Sequence, residues 1–468
     1  MKATADVIVY GNNVGALVAA IELATTNKVL LVNPIPNWGA HFAGTTINGH
    51  LFDIGMNYFE FTGFHQTSGD LMSYDVTRRN DSARFFHLVR QYFESRIDIC
   101  EVPAPQCFVD GLYAGDIVIA NELKVLKLLP AEARDRMRTE LQAIVAAGLF
   151  ALHASRKKLD EALFLATDYR TVSVSNHGQT FHDLFIEPLC RKIFNMSSAD
   201  MPAIFHRIPW APLFYPETLL DILNGGEAKL SDTPFHYPAA GHFAACIEAL
   251  VQEAQQHPNI TMIRDKVTGL SYDGSYTMTT GDTELHAQQL VWCADLQSLL
   301  LCADGVQRPQ FQRTSIALVF LTIDKKYLDR SFSTLFVFDT GSPVYRITDQ
   351  DHAAGTGNEV HRVVVEANCD QLAAYGIADG AGLVAHTAAL LKSMGICTEP
   401  GKGEYLSKYF QNAINLPILP NLHLFTKLQA EVRERFPGIE LVGNASGYVS
   451  TSFNDQVVQA MKLGLKYN

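Results

Sequence analysis

Short apolar runs alternate with glycine-rich breaks at the start of the chain, and that spacing predicts a strand–turn–helix–strand unit. Residues 6–10 form an apolar run of strand length. Gly11-Asn12-Asn13-Val14-Gly15-Ala16 then breaks it, and 17–24 is an alanine-rich helix. A second strand, 28–32, ends at Asn33-Pro34. Such a unit is βαβ, with a right-handed crossover. Residues 37–44 read as a loop, and 47–55 as a hairpin turning at Asn48-Gly49. A second hairpin, 107–113, turns at Asp110-Gly111. Helical patterns dominate 116–194, with Pro130 opening one helix. Residues 237–241 lead into a helix over 243–256, followed by strands at 260–263, 267–272, 276–279 and 290–293. Residues 314–323 form a buried strand, and the chain closes with a strand over 439–443 and a helix over 454–466. With no internal repeat and no low-complexity linker, two lobes interwoven in sequence are expected.

Composition narrows the function classes. The 468 residues are 47% hydrophobic and 18% charged, a globular balance. Thirty-seven Lys and Arg against 49 Asp and Glu leave a net charge of −12, which repels phosphate backbones. The densest basic run, Arg156-Lys157-Lys158, is followed by Asp160 and Glu161 and reads as a solvated helix face, so no nucleic-acid partner is expected. No apolar stretch reaches membrane-spanning length, and Asp6 interrupts what would be a leader's apolar region. The eight cysteines contain no C-x-x-C pair and read as buried thiols of a reducing, cytoplasmic compartment. The 16 histidines show no H-E-x-x-H or Cys/His ligand spacing, so no metal is expected. No Ser-His-Asp set or paired-carboxylate motif stands out, which disfavours hydrolase chemistry.

The N-terminal unit carries the chemistry. Gly11 supplies the turn from strand into helix, and the helix N-terminus presents free N–H groups and partial positive charge to a pyrophosphate. Against the G-x-G-x-x-G fingerprint, Asn13 holds the second glycine's place and Ala16 the third, with Gly15 one place early. Asn13 puts a side chain where phosphates approach the backbone. At the end of the second strand, Asn33 replaces the acidic residue that accepts from ribose hydroxyls, leaving a hydrogen bond without charge assistance.

The order of these pieces resembles the FAD-dependent amine oxidase, phytoene desaturase and UDP-galactopyranose mutase superfamily over essentially the whole chain. VIVYGNNVGALVAAIELA resembles its FAD-binding turn, NWGAHFAG its R-x-G-G loop, and HLFDIGMNYF its F-D-x-G-A-H segment. FHYPAAGHFAACIEAL looks like its Y-P-x-G-G helix, followed by the strands from Val267. ELVGNASGYVSTSFNDQVVQAM looks like its closing glycine turn and helix. The resemblance implies an α/β fold, with a Rossmann-like FAD-binding domain of glutathione-reductase type and an interwoven α+β substrate domain. The first would comprise 1–60, 232–300 and 430–468, and the second 61–231 and 301–429. It further implies FAD contacts at Gly11, Asn13, Val14, Gly15, Ala16, Asn33, Gly39, Ala40, Gly55, Met56, Asn57, Val267, Gly443 and Asn444.

Two further stretches are similar to the mutases, FNMSSADMPAIFHRIPWAP and PVYRIT, and they make Arg207, Tyr345 and Arg346 the candidate catalytic residues. This chain departs from the mutase pattern at Ala211, Asn444 and Asn57, which replace an arginine, an arginine and a histidine. The implied activity is oxidation of a small or medium-sized metabolite by hydride transfer to flavin N5. A non-redox, nucleotide-sugar isomerase and an FAD-free binding or structural homologue stay open. The resemblance also implies weakened FAD binding at the altered turn, and a homodimer, as large flavoenzymes of this kind often form.

Overall fold

The computed structural model describes residues 2–61, 85–119, 122–148, 161–206, 213–227, 235–448 and 452–467. The Arg156-Lys157-Lys158 run and Arg207 lie outside them.

The predicted βαβ unit is present. Strand β1 (Val7–Tyr10) leads into helix α1 (Val14–Leu23), and strand β2 (Val29–Asn33) returns parallel to β1. The helix begins three residues before the hydrophobic pattern alone predicts. Asn13 caps it, its side-chain oxygen accepting from the Ala16 N–H, and so Val14, Gly15 and Ala16 join the first turn. Three later strands complete a parallel sheet: β3 (Ile260–Arg264) beside β2, β4 (Gln289–Trp292) beside β1, and β5 (Glu440–Leu441) beside β4. The resulting order, β3-β2-β1-β4-β5, is that of a Rossmann-type sheet. Helix α1 is almost wholly apolar because it is enclosed, packing between this sheet and the closing helix α2 (Phe453–Tyr467). Side chains from alternate positions of β1 and β2 enter two cores, one on each face.

A second sheet of seven strands runs in the order Glu404–Asn415, Arg313–Asp324, Val360–Asn368, Val344–Asp349, Thr334–Val337, Gln106–Val109, Leu112–Gly115. Its neighbours are antiparallel except where Thr334–Val337 meets Gln106–Val109. Helices Ala131–Ala147, Tyr169–Phe181, Glu187–Phe194 and Pro216–Leu223 share a separate core beside it. Because early residues 106–115 complete a sheet otherwise built after residue 313, the chain is interwoven, as expected.

Both predicted hairpin turns form: Asn48-Gly49 and Asp110-Gly111 all have positive φ, the geometry a type I′ turn demands. One difference is the strand Thr283–Ala287, which the sequence pattern did not single out. Another is the strand expected over 439–443, which ends at Leu441 because Gly443–Ala445 turns into a short 3-10 helix. All eight cysteines are free thiols. Among the described residues, no helix is long and apolar enough to cross a membrane.

Candidate functional site

The carboxyl ends of β1 and β4 meet at the Gly11 turn. Gly11 has φ +143°, and a Cβ there would lie 2.9 Å from the Cys293 Cβ, so only glycine lets the two strand ends approach. Gly15 is likewise pressed against the closing turn, where a Cβ would lie 2.6 Å from Val442 Cγ1.

Asn13 occupies the middle of this junction. Its Oδ1 accepts from the Ala16 N–H at 3.0 Å, and its Nδ2 donates to the Cys293 carbonyl at 2.5 Å. A Cβ on Gly443, which has φ +66°, would lie 3.5 Å from the same Nδ2. Asn33, wholly buried, is also satisfied by its own loop: Oδ1 accepts from the Ile35 N–H at 3.0 Å and Nδ2 donates to the Asn37 carbonyl at 3.4 Å. Asn12 Nδ2 donates to that same carbonyl, and the Gly39 N–H donates to the Asn12 carbonyl at 2.6 Å. Ala40, standing where the R-x-G-G pattern has its second glycine, takes a left-handed φ of +50°. The structure therefore gathers Gly11, Asn13, Val14, Gly15, Ala16, Asn33, Gly39, Ala40 and Gly443 at one end of the parallel sheet. Asn444 follows Gly443 and is exposed, whereas Val267 is buried in the core on the sheet's other face.

A second group forms where the segment after the first hairpin meets the seven-stranded sheet. Arg346, on Val344–Asp349, grips Glu366, on the neighbouring Val360–Asn368, through two bonds: Nε to Oε1 at 2.5 Å and Nη2 to Oε2 at 2.7 Å. The Tyr345 hydroxyl donates to the same Oε2 at 3.1 Å. The Arg346 and Glu366 side chains are 7% and 2% exposed. Burial works against the Arg346 charge, but Glu366 outweighs it and raises the guanidinium pKa; burial, and then Glu366, holds the Tyr345 hydroxyl well above its ordinary value. A Cβ on Gly55 would lie 3.3 Å from Glu366 Oε2, so the ion pair abuts Gly55 directly. Met56, beside it, packs against the helical core. Nearby Asp53 accepts from the Tyr237 hydroxyl at 2.5 Å and the Phe243 N–H at 2.9 Å. Burial raises its pKa to about 6 against the pull of those donors and of Arg362.

Glu366 was missed by sequence reasoning. Its signal was there: a lone carboxylate inside the apolar run Val363-Val364-Val365-Glu366-Ala367 has to be paired when the strand is buried. His206 is wholly buried with Nδ1 2.9 Å from the Ala203 carbonyl.

Whether FAD suits these residues is tested by what they leave unfilled. Gly11 and Gly15 let the strand end, the first helix turn and the closing turn pack directly on Cys293 and Val442. Three buried polar atoms on the flanking segments, Trp38 Nε1, Asn57 Nδ2 and Asn454 Oδ1, have no hydrogen-bond partner among the described residues, and a bound ligand or an ordered water would satisfy them. The residues suit a dinucleotide, with Asn13 as the one side chain already in the turn.

No protein-family model matches the chain, and no curated protein matches it. Solved structures do. A reduced UDP-galactopyranose mutase superposes with a TM-score of 0.73 at 14% identity, covering 98% of this chain and 94% of that one. The chain shares the fold of that mutase. A protoporphyrinogen oxidase described as putative, from Exiguobacterium sp. 255-15, follows at TM-score 0.66 and 15% identity, covering 98% of both chains. Cyclohexylamine oxidase from Brevibacterium oxydans IH-35A gives 0.60 at 11% identity, covering 99% of this chain and 98% of that one.

Proposed function

We propose that this chain binds FAD and is a flavin-dependent oxidoreductase of amine-oxidase or desaturase type, acting on a small or medium-sized metabolite with little negative charge. The observation that carries the reading is the closed Arg346–Glu366 pair beside Gly55. A mutase-like site would need that guanidinium turned toward a diphosphate, and here two of its three nitrogens, Nε and Nη2, are bonded to a carboxylate of its own sheet. A neutral, buried wall suits an uncharged carbon–hydrogen donor better than a nucleotide sugar. The names of the similar cyclohexylamine oxidase and of a putrescine oxidase, which gives a TM-score of 0.59 at 12% identity and covers 100% of this chain and 98% of that one, support the redox reading.

FAD, when bound, supplies the hydride acceptor at flavin N5. The chain's own part is to admit the dinucleotide at Gly11–Ala16, to meet it with Asn33, Asn57 and Gly443, and to place Tyr345 and Arg346 in the wall beside Gly55. We assign the cofactor domain to 1–60, 232–300 and 430–468 and the substrate domain to 61–231 and 301–429. The five parallel strands falling in the first set, and the seven mixed strands in the second, support that division.

An absorption spectrum of the purified protein after incubation with FAD and gel filtration tests the reading. Flavin bands that bleach with substrate and return with an electron acceptor are expected. Absence of bands overturns it, and turnover that needs pre-reduced flavin but consumes no acceptor replaces it with the mutase.

A further inference from the structure

We infer that Asn13 is a built-in competitor for the cofactor's diphosphate, so that FAD binds as an exchangeable ligand rather than a permanent group. The inference rests on the FAD reading above and says how that site is regulated. A dinucleotide turn ordinarily offers its helix N–H groups to phosphate oxygens. Here the Asn13 carboxamide takes that role within the chain. Its Oδ1 accepts from Ala16, its Nδ2 donates to the Cys293 carbonyl, and its nitrogen lies against the Gly443 turn. It thus ties together helix α1, the end of β4 and the closing turn, the three segments that converge on the Gly11 turn.

A second residue shows the same economy. Asn33 spends both ends of its carboxamide on Ile35 and Asn37 instead of keeping an acceptor for a ribose. Trp38 Nε1, Asn57 Nδ2 and Asn454 Oδ1 have no such partner among the described residues, so the flanking segments are not satisfied in the same way. The Asn13 carboxamide already holds the Ala16 N–H at the diphosphate position. A ligand arriving there must first displace the Asn13 carboxamide from two hydrogen bonds.

The test compares the full-length wild-type protein with Asn13→Gly and Asn13→Asp. FAD affinity is read by flavin fluorescence, inorganic pyrophosphate affinity by calorimetry, and thermal melting without ligand serves as control. Asn13→Gly gives up both carboxamide bonds in the unliganded protein, so its melting temperature without ligand should fall by about 1–2 °C. Its affinity for both ligands should rise about tenfold, the two carboxamide bonds no longer being given up on binding. Asn13→Asp keeps the cap but adds a negative charge, and should bind both ligands more weakly than wild type. If pyrophosphate binding tightens in Asn13→Gly while FAD binds to neither protein, the competition stands and the FAD reading falls. Equal or weaker pyrophosphate binding by Asn13→Gly, or none at all, overturns the inference.

Discussion

Replacing Glu366 with glutamine isolates the charge of the buried pair without opening a cavity. The guanidinium of Arg346 would keep its place but lose the carboxylate that compensates it, inside a sheet where both side chains are more than nine-tenths buried. Removing one partner of such a pair costs about 3–5 kcal/mol, because the remaining ion is stranded away from water. The carboxamide oxygen of the new side chain still accepts one guanidinium N–H, which places the expected loss near the lower end, at about 3 kcal/mol. At roughly 2.1 cal/mol/K of unfolding entropy per residue, the 468-residue chain has about 1 kcal/mol/K, so a single cooperative transition should fall by ~3 °C. Calorimetry of Glu366→Gln beside the double variant Arg346→Met/Glu366→Leu measures this. The double variant removes both charges together and should recover to within about 1 kcal/mol of wild type. A single-variant loss below about 1 kcal/mol, or a double variant less stable than the single, would refute the claim that the charges are locked on each other.

Two further outcomes are expected. Burial, and then the neighbouring His182 and His206, push the His177 pKa down to about 3, while the Phe214 N–H, donating to Nε2 at 2.8 Å, takes the lone pair a proton would need. The unfolded chain, titrating near 6.5, binds this proton first. Stability is therefore intact above about pH 6.5 and falls by ~1.4 kcal/mol per pH unit below it. Urea unfolding should show a loss of ~2 kcal/mol between about pH 6.5 and 5 that shrinks in His177→Gln; an unchanged slope in the variant sinks the assignment. Lys192, buried in the helix Glu187–Phe194, donates to the carbonyls of Val337, Asp339 and Val344 at 2.8, 2.6 and 2.9 Å. Lys192→Met strands three acceptors at about 1–3 kcal/mol each, so urea unfolding should show at least ~3 kcal/mol lost, and a loss under about 1 kcal/mol contradicts the bonding.

The parts of this fold that could be read in advance are those where one local rule decides. The β1–α1–β2 unit follows from two apolar runs either side of a glycine turn, and both hairpins from Asn-Gly and Asp-Gly, whose positive φ few other pairs accept. The strands of the seven-stranded sheet after residue 324 were less legible. Val344–Asp349 and Val360–Asn368 are buried on both faces, so they lack the alternation that marks a strand with a wet side. The site divides the same way. Gly11 and Gly15 announce a close approach by their residue type, but the partner of Arg346 lies 20 residues away on the next strand, and only the register between strands brings Glu366 opposite it.

The substitutions at the two ends of the site share one physical form, and it differs from simple loss. Asn13 and Asn33 replace groups that would face a ligand, yet each bonds both ends of its carboxamide within the chain. Arg346 keeps the residue type suited to an anion, yet Glu366 cancels it. A turn emptied of function would leave buried polar atoms stranded, at a cost of about 1–3 kcal/mol each. Among the described residues, Trp38 Nε1 and Asn454 Oδ1, on the loop and helix that flank the turn, and Asn57 Nδ2, two residues past Gly55, have no hydrogen-bond partner. Selection for stability alone removes such atoms most cheaply by apolar replacement. Keeping such atoms on the segments around a self-satisfied turn fits a chain stable without its ligand yet still shaped to receive one.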